Sequence, residues 1–452
     1  MGTLFGTDGI RGVAGELLTP EFAVQVGRAA AVVVGKTCGR PPLFLIGRDT
    51  RLSGPMLEAA LTAGLTSGGA RVELAGVIPT PGLAMLVGRR GAEAGVVISA
   101  SHNPFADNGI KFFSSAGLKL SDEEEAEIEA HIAHHDLPSL VGRGFGSFAT
   151  VDGALERYVE EVAGHILLDL RGMRIAVDCA NGAMSEAAPL ALARSGADVA
   201  VMCAAPDGIN INEGCGSTHI AGLQAMVTGD GYDLGLAFDG DGDRVLAVDA
   251  GGELVDGDFI IAMLARHLKG RGTLRNDTVV TTVMTNLGFH HAMRREGIEV
   301  LVTAVGDRYV VAEMLRGDHV LGGEQSGHII NRDVCSTGDG LATAFLLLQA
   351  LSEMRVPLAD AARVMTRLPQ KLVNVRLRDM GTLEGATQVW AAVDEESRRL
   401  EGRGRVLVRP SGTEPLVRVM VEAPTDAEVE DVCGRLAEVV NEHLGAPAEA
   451  VL

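Results

Sequence analysis

The sequence predicts an α/β protein of three related domains with mixed sheets, followed by a C-terminal α+β domain with an antiparallel sheet. Three observations predict this class. The chain has 452 residues, enough for about three domains of ordinary size. A unit of apolar strand, loop, helix and second apolar strand recurs three times, as in right-handed βαβ units. The residues after about position 370 lose this alternation and read as a hairpin with flanking helices.

The repeated unit is the main indication of parallel pairing. Its short β-branched runs suit strands that are buried on both faces. Gly196 and Gly297 follow the second and third helices, where a helix C-cap is expected. The three units comprise strands at 42–46 and 70–74 around a helix near 56–67, strands at 174–178 and 198–201 around a helix at 186–195, and strands at 278–282 and 299–302 around a helix at 289–296.

The C-terminal segment has a different pattern. Strands are expected at 371–377, 405–409 and 416–422, and helices at 383–400 and 426–444. The short turn 410–415 joins the last two strands, so they predict an antiparallel hairpin. A Gly-rich stretch at 142–146 resembles a linker. With the three repeated units and the C-terminal segment, it predicts domains at 1–153, 154–254, 255–369 and 370–452.

The composition excludes several classes of partner. The chain carries 39 Lys and Arg against 60 Asp and Glu, a formal net charge of −21, so neither nucleic acid nor an anionic membrane is an expected partner. An anionic ligand would need a local basic pocket. The six cysteines form no C-x-x-C pair, no apolar run approaches a membrane span, and the start lacks signal-peptide features. These features predict a cytoplasmic protein.

The strongest local signal is a run of alternating carboxylates. A predicted buried strand leads directly into Asp239, Asp241 and Asp243, separated by two glycines. Alternation places the three on one side of an extended chain, and a hard divalent cation such as Mg²⁺ would relieve their repulsion. An EF-hand does not fit, because Arg244 and Ala250 occupy its sixth and twelfth positions. An acidic surface turn, the alternative, gives no reason for strict alternation.

A second predicted strand ends in a polar loop. Ser99, Ser101, His102 and Asn103 precede a proline that stops the strand. A serine at a strand end is a candidate nucleophile or phosphate carrier, and Lys111 could contact an anion over the same loop. The segment lacks the G-x-S-x-G elbow of acyl-enzyme hydrolases. On its residues alone, a functional and a structural role for this loop stay open.

Two further loops carry groups suited to a sugar phosphate. Around the turn 409–418, Gly backbone donors, hydroxyls and two guanidiniums suit an anion, although a plain hairpin turn remains an alternative. Glu324 and Ser326 alternate and could accept or donate to sugar hydroxyls. His328 could shuttle a proton or be structural. Arg11 adds a basic side chain on a Gly-rich N-terminal loop.

Taken together, these loops resemble those of the α-D-phosphohexomutase family over essentially the whole chain. The serine loop SASHNP (99–104), the metal loop DGDGDR (239–244), the sugar loop GEQSGH (323–328) and the phosphate loop RPSGTEP (409–415) are intact and in the family's order. The segments 4–12 (LFGTDGIRG), 108–113 (NGIKFF) and 305–309 (VGDRY), with Gln325, favour the branch that acts on glucosamine phosphates over phosphomanno- and phosphoglucomutases.

The resemblance implies a set of roles. It implies four domains around a central cleft, one loop from each, with phosphorylated Ser101 sharing one Mg²⁺ per chain with Asp239, Asp241 and Asp243. Sugar hydroxyls would contact Glu324 and Ser326. The remaining roles are a clamp on the distal phosphate, formed by Arg409, Ser411, Gly412, Thr413 and Arg418, and charge stabilisation or proton transfer by Arg11, Lys111, Arg244 and His328.

The resemblance also implies the reaction. An isomerase would interconvert glucosamine 6-phosphate and glucosamine 1-phosphate through glucosamine 1,6-bisphosphate, which could also act as activator, for UDP-N-acetylglucosamine and cell-wall precursor synthesis. A metal-dependent phosphatase and a silent sugar-phosphate sensor are the alternatives, although a sensor would not need both the serine and the aspartates. The sequence leaves the oligomeric state open, including a homodimer.

Overall fold

The computed structural model of the chain describes residues 4–6, 8–36, 38–134, 140–166, 168–377, 383–410 and 416–445. They belong to two compact units, residues 1–284 with 297–364 and residues 285–296 with 365–452. The strands are β1 Ile10–Val13, β2 Leu43–Arg48, β3 Arg71–Val77, β4 Ala94–Ile98, β5 Asp107–Ser114, β6 Phe148–Thr150, β7 Arg174–Asp178, β8 Asp198–Met202, β9 Leu234–Phe238, β10 Val245–Asp249, β11 Leu254–Val255, β12 Thr278–Thr282, β13 Glu299–Thr303, β14 Leu321–Gly323, β15 Ile329–Asn331, β16 Gln370–Arg376, β17 Arg405–Pro410 and β18 Leu416–Glu422. The helices are α1 Pro20–Gly35, α2 Gly54–Ser67, α3 Thr80–Arg90, α4 Asp122–His134, α5 Ala154–His165, α6 Met184–Arg194, α7 Ala221–Asp230, α8 Gly257–Gly270, α9 Leu287–Arg295, α10 Asp307–Arg316, α11 Gly340–Met354, α12 Leu358–Ala361, α13 Thr387–Arg399 and α14 Asp426–Leu444.

The first unit contains three mixed sheets, as the sequence predicts. Their strand orders are β1-β5-β4-β2-β3-β6, β11-β10-β9-β7-β8 and β13-β12-β14-β15. The central strands of each sheet pair in parallel, and strands near one edge run antiparallel. Strands β4, β9 and β12 are buried along their whole length, and each fully buried Val or Leu stabilises such a core by about 1.5–3 kcal/mol.

The three sheets place their polar loops at the same point of the topology. In each sheet the loop joins a parallel strand to its antiparallel partner: β4 to β5, β9 to β10 and β14 to β15. The first connection carries the serine loop, the second the three aspartates, and the third Glu324 and Ser326. Ligands of open α/β sheets bind beyond the carboxyl ends of their strands, so one topological rule positions three of the predicted site segments.

The structure corrects one local expectation and adds detail to another. The helix predicted from 383 begins at Thr387, because Gly385 lies in a turn before it and glycine disfavours a helix interior. The stretch 142–146 connects α4 to β6 and makes contacts of its own. It contains a 3₁₀ turn at Gly142–Gly144, and the Gly146 N–H donates to the Thr66 carbonyl at 2.8 Å.

The second unit is the predicted antiparallel α+β segment. Its sheet has the order β16-β18-β17, with the β17–β18 hairpin in register from Arg405↔Glu422 to Pro410↔Val417. Helices α13 and α14 supply apolar side chains to the same core. The buried Glu422 carboxylate accepts from Arg405 Nε at 2.9 Å and from the Leu287 N–H at 3.0 Å, which fixes the start of α9 in this unit.

Within the described part of the chain, no single helix is long and apolar enough to cross a membrane. One bent pair, Gly340–Met354 with Leu358–Val364, meets the length and composition test, with a 90° angle between its two helices. Most of α11 is buried in the core of the protein.

Candidate active site

Ser101 lies beside the aspartates of the metal loop. Its side chain is fully buried, and its Oγ donates to Asp239 Oδ2 at 2.5 Å. The two residues are 138 positions apart in the chain. Ser101 has a left-handed backbone, with φ of 52°, a conformation that non-glycine residues adopt only when their surroundings enforce it. The predicted association of the serine loop with the metal loop is present.

Asp239, Asp241 and Asp243 form a cluster that fits a cation. All three are buried, and one ligand atom from each lies within 4.8 Å of the other two. Among the described residues, Asp241 Oδ1 and Asp243 Oδ1 have no hydrogen-bond partner. Burial and the charges of Asp243 and Asp241 raise the pKa of Asp239 well above its usual range. Unsatisfied buried carboxylate oxygens at this spacing suit a hard divalent ion, Mg²⁺ above all.

Lys111 on β5 contacts the same cluster. Its Nζ lies 3.0 Å from Asp241 Oδ2, 3.1 Å from Asp8 Oδ2 and 3.9 Å from Asp243 Oδ2, and only 2% of its side chain is exposed. Burial opposes the charged form, but Asp241, Asp8 and Asp243 raise the pKa of Lys111 above its usual range. Lys111 therefore remains a cation at neutral pH.

His328 and Arg244 are two further cations at the cluster. His328 Nδ1 lies 3.5 Å from Asp243 Oδ2. Although burial disfavours the imidazolium, Asp243, Asp307 and Glu324 raise the pKa of His328 to about 9. Burial also opposes the charge of Arg244, yet the surrounding carboxylates raise its pKa. Both side chains are positively charged at pH 7, which suits a site for a phosphate.

His102 has the opposite state. Burial, with the charges of Arg244 and Arg11, lowers the pKa of His102 to about 4. The imidazole is therefore neutral, and its Nδ1 lies 2.9 Å from Arg244 Nη1. It accepts the hydrogen bond of a guanidinium.

An outer row of charges connects these cations to other segments. Lys119 Nζ lies 2.8 Å from Asp8 Oδ1 and 2.7 Å from Asp307 Oδ1. Asp8 also pairs with Arg11, and Asp307 Oδ2 lies 3.9 Å from His328 Nε2. The alternating charges link β1, the segment after β5, the start of α10 and the sugar loop.

The sugar loop lies at the same site. Glu324 Oε1 accepts from the Gly306 N–H at 3.0 Å, and its charge contributes to the pKa values of Arg244 and His328. Ser326 Oγ lies 3.4 Å from Glu324 Oε2, so the two side chains share a face as the alternation predicts. Ser326 is exposed.

The predicted phosphate loop belongs to the second unit and is described only in part. Ser411, Gly412 and Thr413 lie outside the described residues. Arg409 and Arg418 are directly opposite each other in the β17–β18 register. Burial and the charge of Arg418 lower the pKa of Arg409. Two guanidiniums on neighbouring strands form a positive patch that an anion would stabilise.

A second group with metal-ligating atoms has a structural explanation. Asp178, Cys203 and Cys215 also bring their ligand atoms within 4.8 Å of one another. The two Asp178 oxygens already accept from the N–H groups of Ala180 at 2.9 Å and Gly216 at 2.8 Å. Burial and Asp178 raise the pKa of Cys215 well above its usual range. The Cys215 thiol is therefore protonated. The Asp178 carboxylate joins the loops of Ala180 and Gly216 through its two hydrogen bonds.

Several residues that contact predicted site groups have no role assigned from the sequence: Asp8, Arg51, Thr80, Asn212 and Asp307. Lys119 lies one step further out, on Asp8 and Asp307. Thr80 Oγ1 donates to Asp241 Oδ2 at 2.7 Å, from the start of α3 just beyond the end of β3. Its place after a parallel strand was a usable signal, because ligand sites gather at those strand ends. Asp8 and Asp307 lie within the segments 4–12 and 305–309 that carry the family resemblance.

The chain matches known protein families along nearly its whole length. Four phosphoglucomutase/phosphomannomutase domain families match in order: α/β/α domain I at residues 2–138, α/β/α domain II at 156–252, α/β/α domain III at 256–368 and the C-terminal domain at 372–439. Proteins named phosphoglucosamine mutase are 52% identical in Desulforudis audaxviator, over 98% of both chains, and 53% identical in Saccharopolyspora erythraea, over 97% of this chain and 99% of the relative.

Solved structures show the same fold. A phosphoglucomutase/phosphomannomutase family protein from Burkholderia thailandensis superposes with a TM-score of 0.84 at 24% identity, covering 98% of this chain and 99% of its own. Aspergillus fumigatus N-acetylphosphoglucosamine mutase, solved with GlcNAc-6P and magnesium, gives a TM-score of 0.73 at 18% identity, covering 98% and 96%. From its four domain matches and its relatives at more than half identity, this chain belongs to the phosphoglucomutase/phosphomannomutase family.

Proposed function

We propose that the chain interconverts glucosamine 6-phosphate and glucosamine 1-phosphate, with Ser101 as the phosphate carrier. The observation that carries the proposal is the 2.5 Å contact of the buried Ser101 Oγ with Asp239, inside a cluster of three carboxylates and next to a buried lysine. The relatives of about 50% identity that are named phosphoglucosamine mutase support the choice of sugar.

In this proposal the aspartate cluster and Ser101 hold one Mg²⁺. When bound, that ion would neutralise charge on a phosphate carried by Ser101 and polarise its phosphorus–oxygen bonds. The cations around the cluster would act on the same group: Lys111 and Arg244 lie against the aspartates, and His328 lies beside Asp243. Arg11, paired with Asp8, would extend this positive environment to the first strand.

The sugar and its second phosphate are assigned to the other two loops. Glu324 and Ser326 present a carboxylate and a hydroxyl on one face and would bind sugar hydroxyls. The distal phosphate is assigned to Arg409 and Arg418 with the turn residues Ser411, Gly412 and Thr413. Two guanidiniums in register are well suited to a dianion. We infer the domains 1–153, 154–254, 255–369 and 370–452, each contributing one loop.

The reaction proceeds in two transfers. In the first, the bond between Ser101 Oγ and phosphorus breaks as sugar O1 bonds to phosphorus and loses its proton, giving glucosamine 1,6-bisphosphate. In the second, the 6-phosphate returns to Ser101 and O6 regains a proton. The bisphosphate is thus intermediate and, when added, activator. Burial of Ser101 and the aspartates keeps water from the phosphoserine. A cytoplasmic location and a homodimer complete the proposal, with the product serving UDP-N-acetylglucosamine and cell-wall precursor synthesis.

A side-by-side comparison of substrates tests this function. We expect turnover of glucosamine 6-phosphate to exceed that of glucose and mannose 6-phosphates by at least about tenfold in kcat/KM, which is about 1.4 kcal/mol of discrimination. Product is followed by phosphorus NMR, which also detects free phosphate. Net release of inorganic phosphate without sugar 1-phosphate would instead identify a phosphatase and contradict the mutase.

Replacement of Asp241 by asparagine is expected to weaken metal activation. The carboxylate has one oxygen on Thr80 and Lys111 and the other without a partner among the described residues, so the amide keeps the shape but loses the charge. We expect at least about a tenfold rise in the Mg²⁺ concentration for half-maximal activity. Direct Mn²⁺ binding gives an independent readout. Asp249→Asn, at the far end of β10, is the matched control, and an unchanged titration for Asp241→Asn would remove it from the ligand set.

A further inference from the structure

Arg51 is fully buried directly beneath the serine loop. Its guanidinium lies after the end of β2, and its side chain is 0% exposed. Nη2 donates to the carbonyls of Ser101 at 2.9 Å and Asn103 at 2.8 Å. Nη1 donates to the carbonyl of Asp107 at 3.0 Å and also to that of Pro104. One guanidinium therefore binds four carbonyl groups within the seven residues that contain the phosphate carrier.

A second path reaches the same serine from its N–H side. Arg51 Nε donates to Asp49 Oδ2 at 2.8 Å, and that oxygen also accepts from Ser99 Oγ at 2.6 Å. Ser99 Oγ in turn accepts from the Ser101 N–H at 2.9 Å. Both backbone groups of Ser101 are thus connected to Arg51, one directly and one through Asp49 and Ser99. Asn212 Nδ2 donates to the same two carbonyls as Arg51 Nη2, at 2.9 Å from Ser101 and 3.0 Å from Asn103.

We propose that Arg51 is a positioning residue that holds the Ser101 backbone in its left-handed conformation, so that the phosphate on Oγ faces the sugar hydroxyl in line. This inference rests on the proposed function. The planar guanidinium supplies five donors in a fixed fork. A lysine ammonium has three donors at one point and cannot reach the same set of carbonyls. A loop displaced by about 1 Å can cost about 10²-fold in rate, because transfer needs aligned oxygens.

The sequence alone offers no reason to single out Arg51. It lies in the run Gly47-Arg-Asp-Thr-Arg51 with another arginine, and nothing in the spacing says which one turns inward. In the structure, Arg48 is the outer member and its Nε lies 3.3 Å from Glu58 Oε2. The two arginines are therefore a matched pair for mutation: Arg51 contacts the serine loop, and Arg48 contacts Glu58 on α2.

The test compares Arg51→Lys with Arg48→Lys. Each protein is loaded with phosphate on Ser101 from a hexose 1,6-bisphosphate, and mass spectrometry counts the phosphorylated sites. Transfer to glucosamine 6-phosphate is then measured per phosphoserine, alongside the fraction lost as inorganic phosphate. For Arg51→Lys we expect the rate per phosphoserine to fall about ten- to a hundredfold, with a larger share lost to water and KM within about twofold. Arg48→Lys should match the wild type.

These readouts separate positioning from stability. A purely structural role would lower the number of sites that become phosphorylated, but it would leave the rate per phosphoserine unchanged. A per-site rate and a phosphate partition within about twofold of wild type in Arg51→Lys would overturn the proposal. If that variant does not fold, Ser99→Ala decides. It removes the hydroxyl that joins Asp49 to the Ser101 N–H and leaves Arg51 in place, and an unchanged partition there overturns the proposal equally. Failure of the wild type to pass phosphate to any hexose phosphate would refute the mutase itself.

Discussion

Ser101→Ala is expected to abolish interconversion of the two glucosamine phosphates while substrate affinity stays within about threefold. The reason is that the reaction uses the Oγ oxygen as a covalent carrier, and the side chain is otherwise too small to contribute much to sugar binding. A loss of at least about 10⁴-fold in kcat is expected, in the range found when a covalent nucleophile is removed. Turnover is measured by phosphorus NMR, and affinity by calorimetry with glucosamine 6-phosphate.

Ser67→Ala is the control for this experiment. Ser67 ends α2, and its Oγ donates to the Gly64 carbonyl at 2.7 Å, so its loss removes a hydroxyl of the same size away from the reacting group. This variant should keep wild-type turnover. Wild-type turnover in Ser101→Ala would contradict the carrier role, and the resemblance to the family would then not extend to the mechanism.

Much of the fold follows from local patterns that act over short stretches. Strands such as β7 and β12 appear at the residues where β-branched runs predict them, because burial on both faces selects those side chains. Helix α14 has the predicted bounds, Asp426–Leu444, and the Thr425 side chain caps its N-terminus. The antiparallel hairpin at the C-terminus also follows from its short turn.

The site is only partly predictable in this way. Alternation of three aspartates indicates that they converge, since the spacing and the convergence are both local. The partner of a buried cation is not local: Lys111 and Asp241 are 130 positions apart, and only the packing of two sheets brings them to 3.0 Å. For the same reason the sequence left two roles open for His328, whose 3.5 Å contact with Asp243 depends on the third sheet.

The conformation of the serine loop is also not predictable from the sequence, for a different reason. Its polar residues predict a turn with chemistry, but the Ser101 carbonyl accepts from a guanidinium fifty positions earlier in the chain. A buried polar side chain needs hydrogen-bond partners. The sequence shows hydrophobic periodicity directly, but it does not show which distant groups will be the hydrogen-bond partners of a buried side chain. Arg51 therefore reads as one more charged residue until its acceptors are known.

Lys111→Met is expected to lower kcat/KM by about 10³-fold, which is about 4 kcal/mol of transition-state stabilisation. Methionine keeps the length and packing of the side chain but removes a charge that lies against Asp241, Asp8 and Asp243. Loss of one partner from a buried ion pair also costs about 3–5 kcal/mol of folding stability. Activity is therefore measured well below the unfolding temperature, and unfolding is followed separately by circular dichroism.

Lys119→Met distinguishes two explanations of that loss. Lys119 is a largely buried cation on the same row of charges, but its ion pairs are with Asp8 and Asp307 rather than with the aspartate cluster. If Lys111 acts on the charge of the transferred phosphate, Lys119→Met should lose no more than about tenfold in kcat/KM, since charge effects weaken with distance. Equal losses of kcat/KM in the two variants would instead assign both lysines to the ion-pair network. A residue that only supports its neighbours should have an effect that does not depend on its distance from the transferred phosphate.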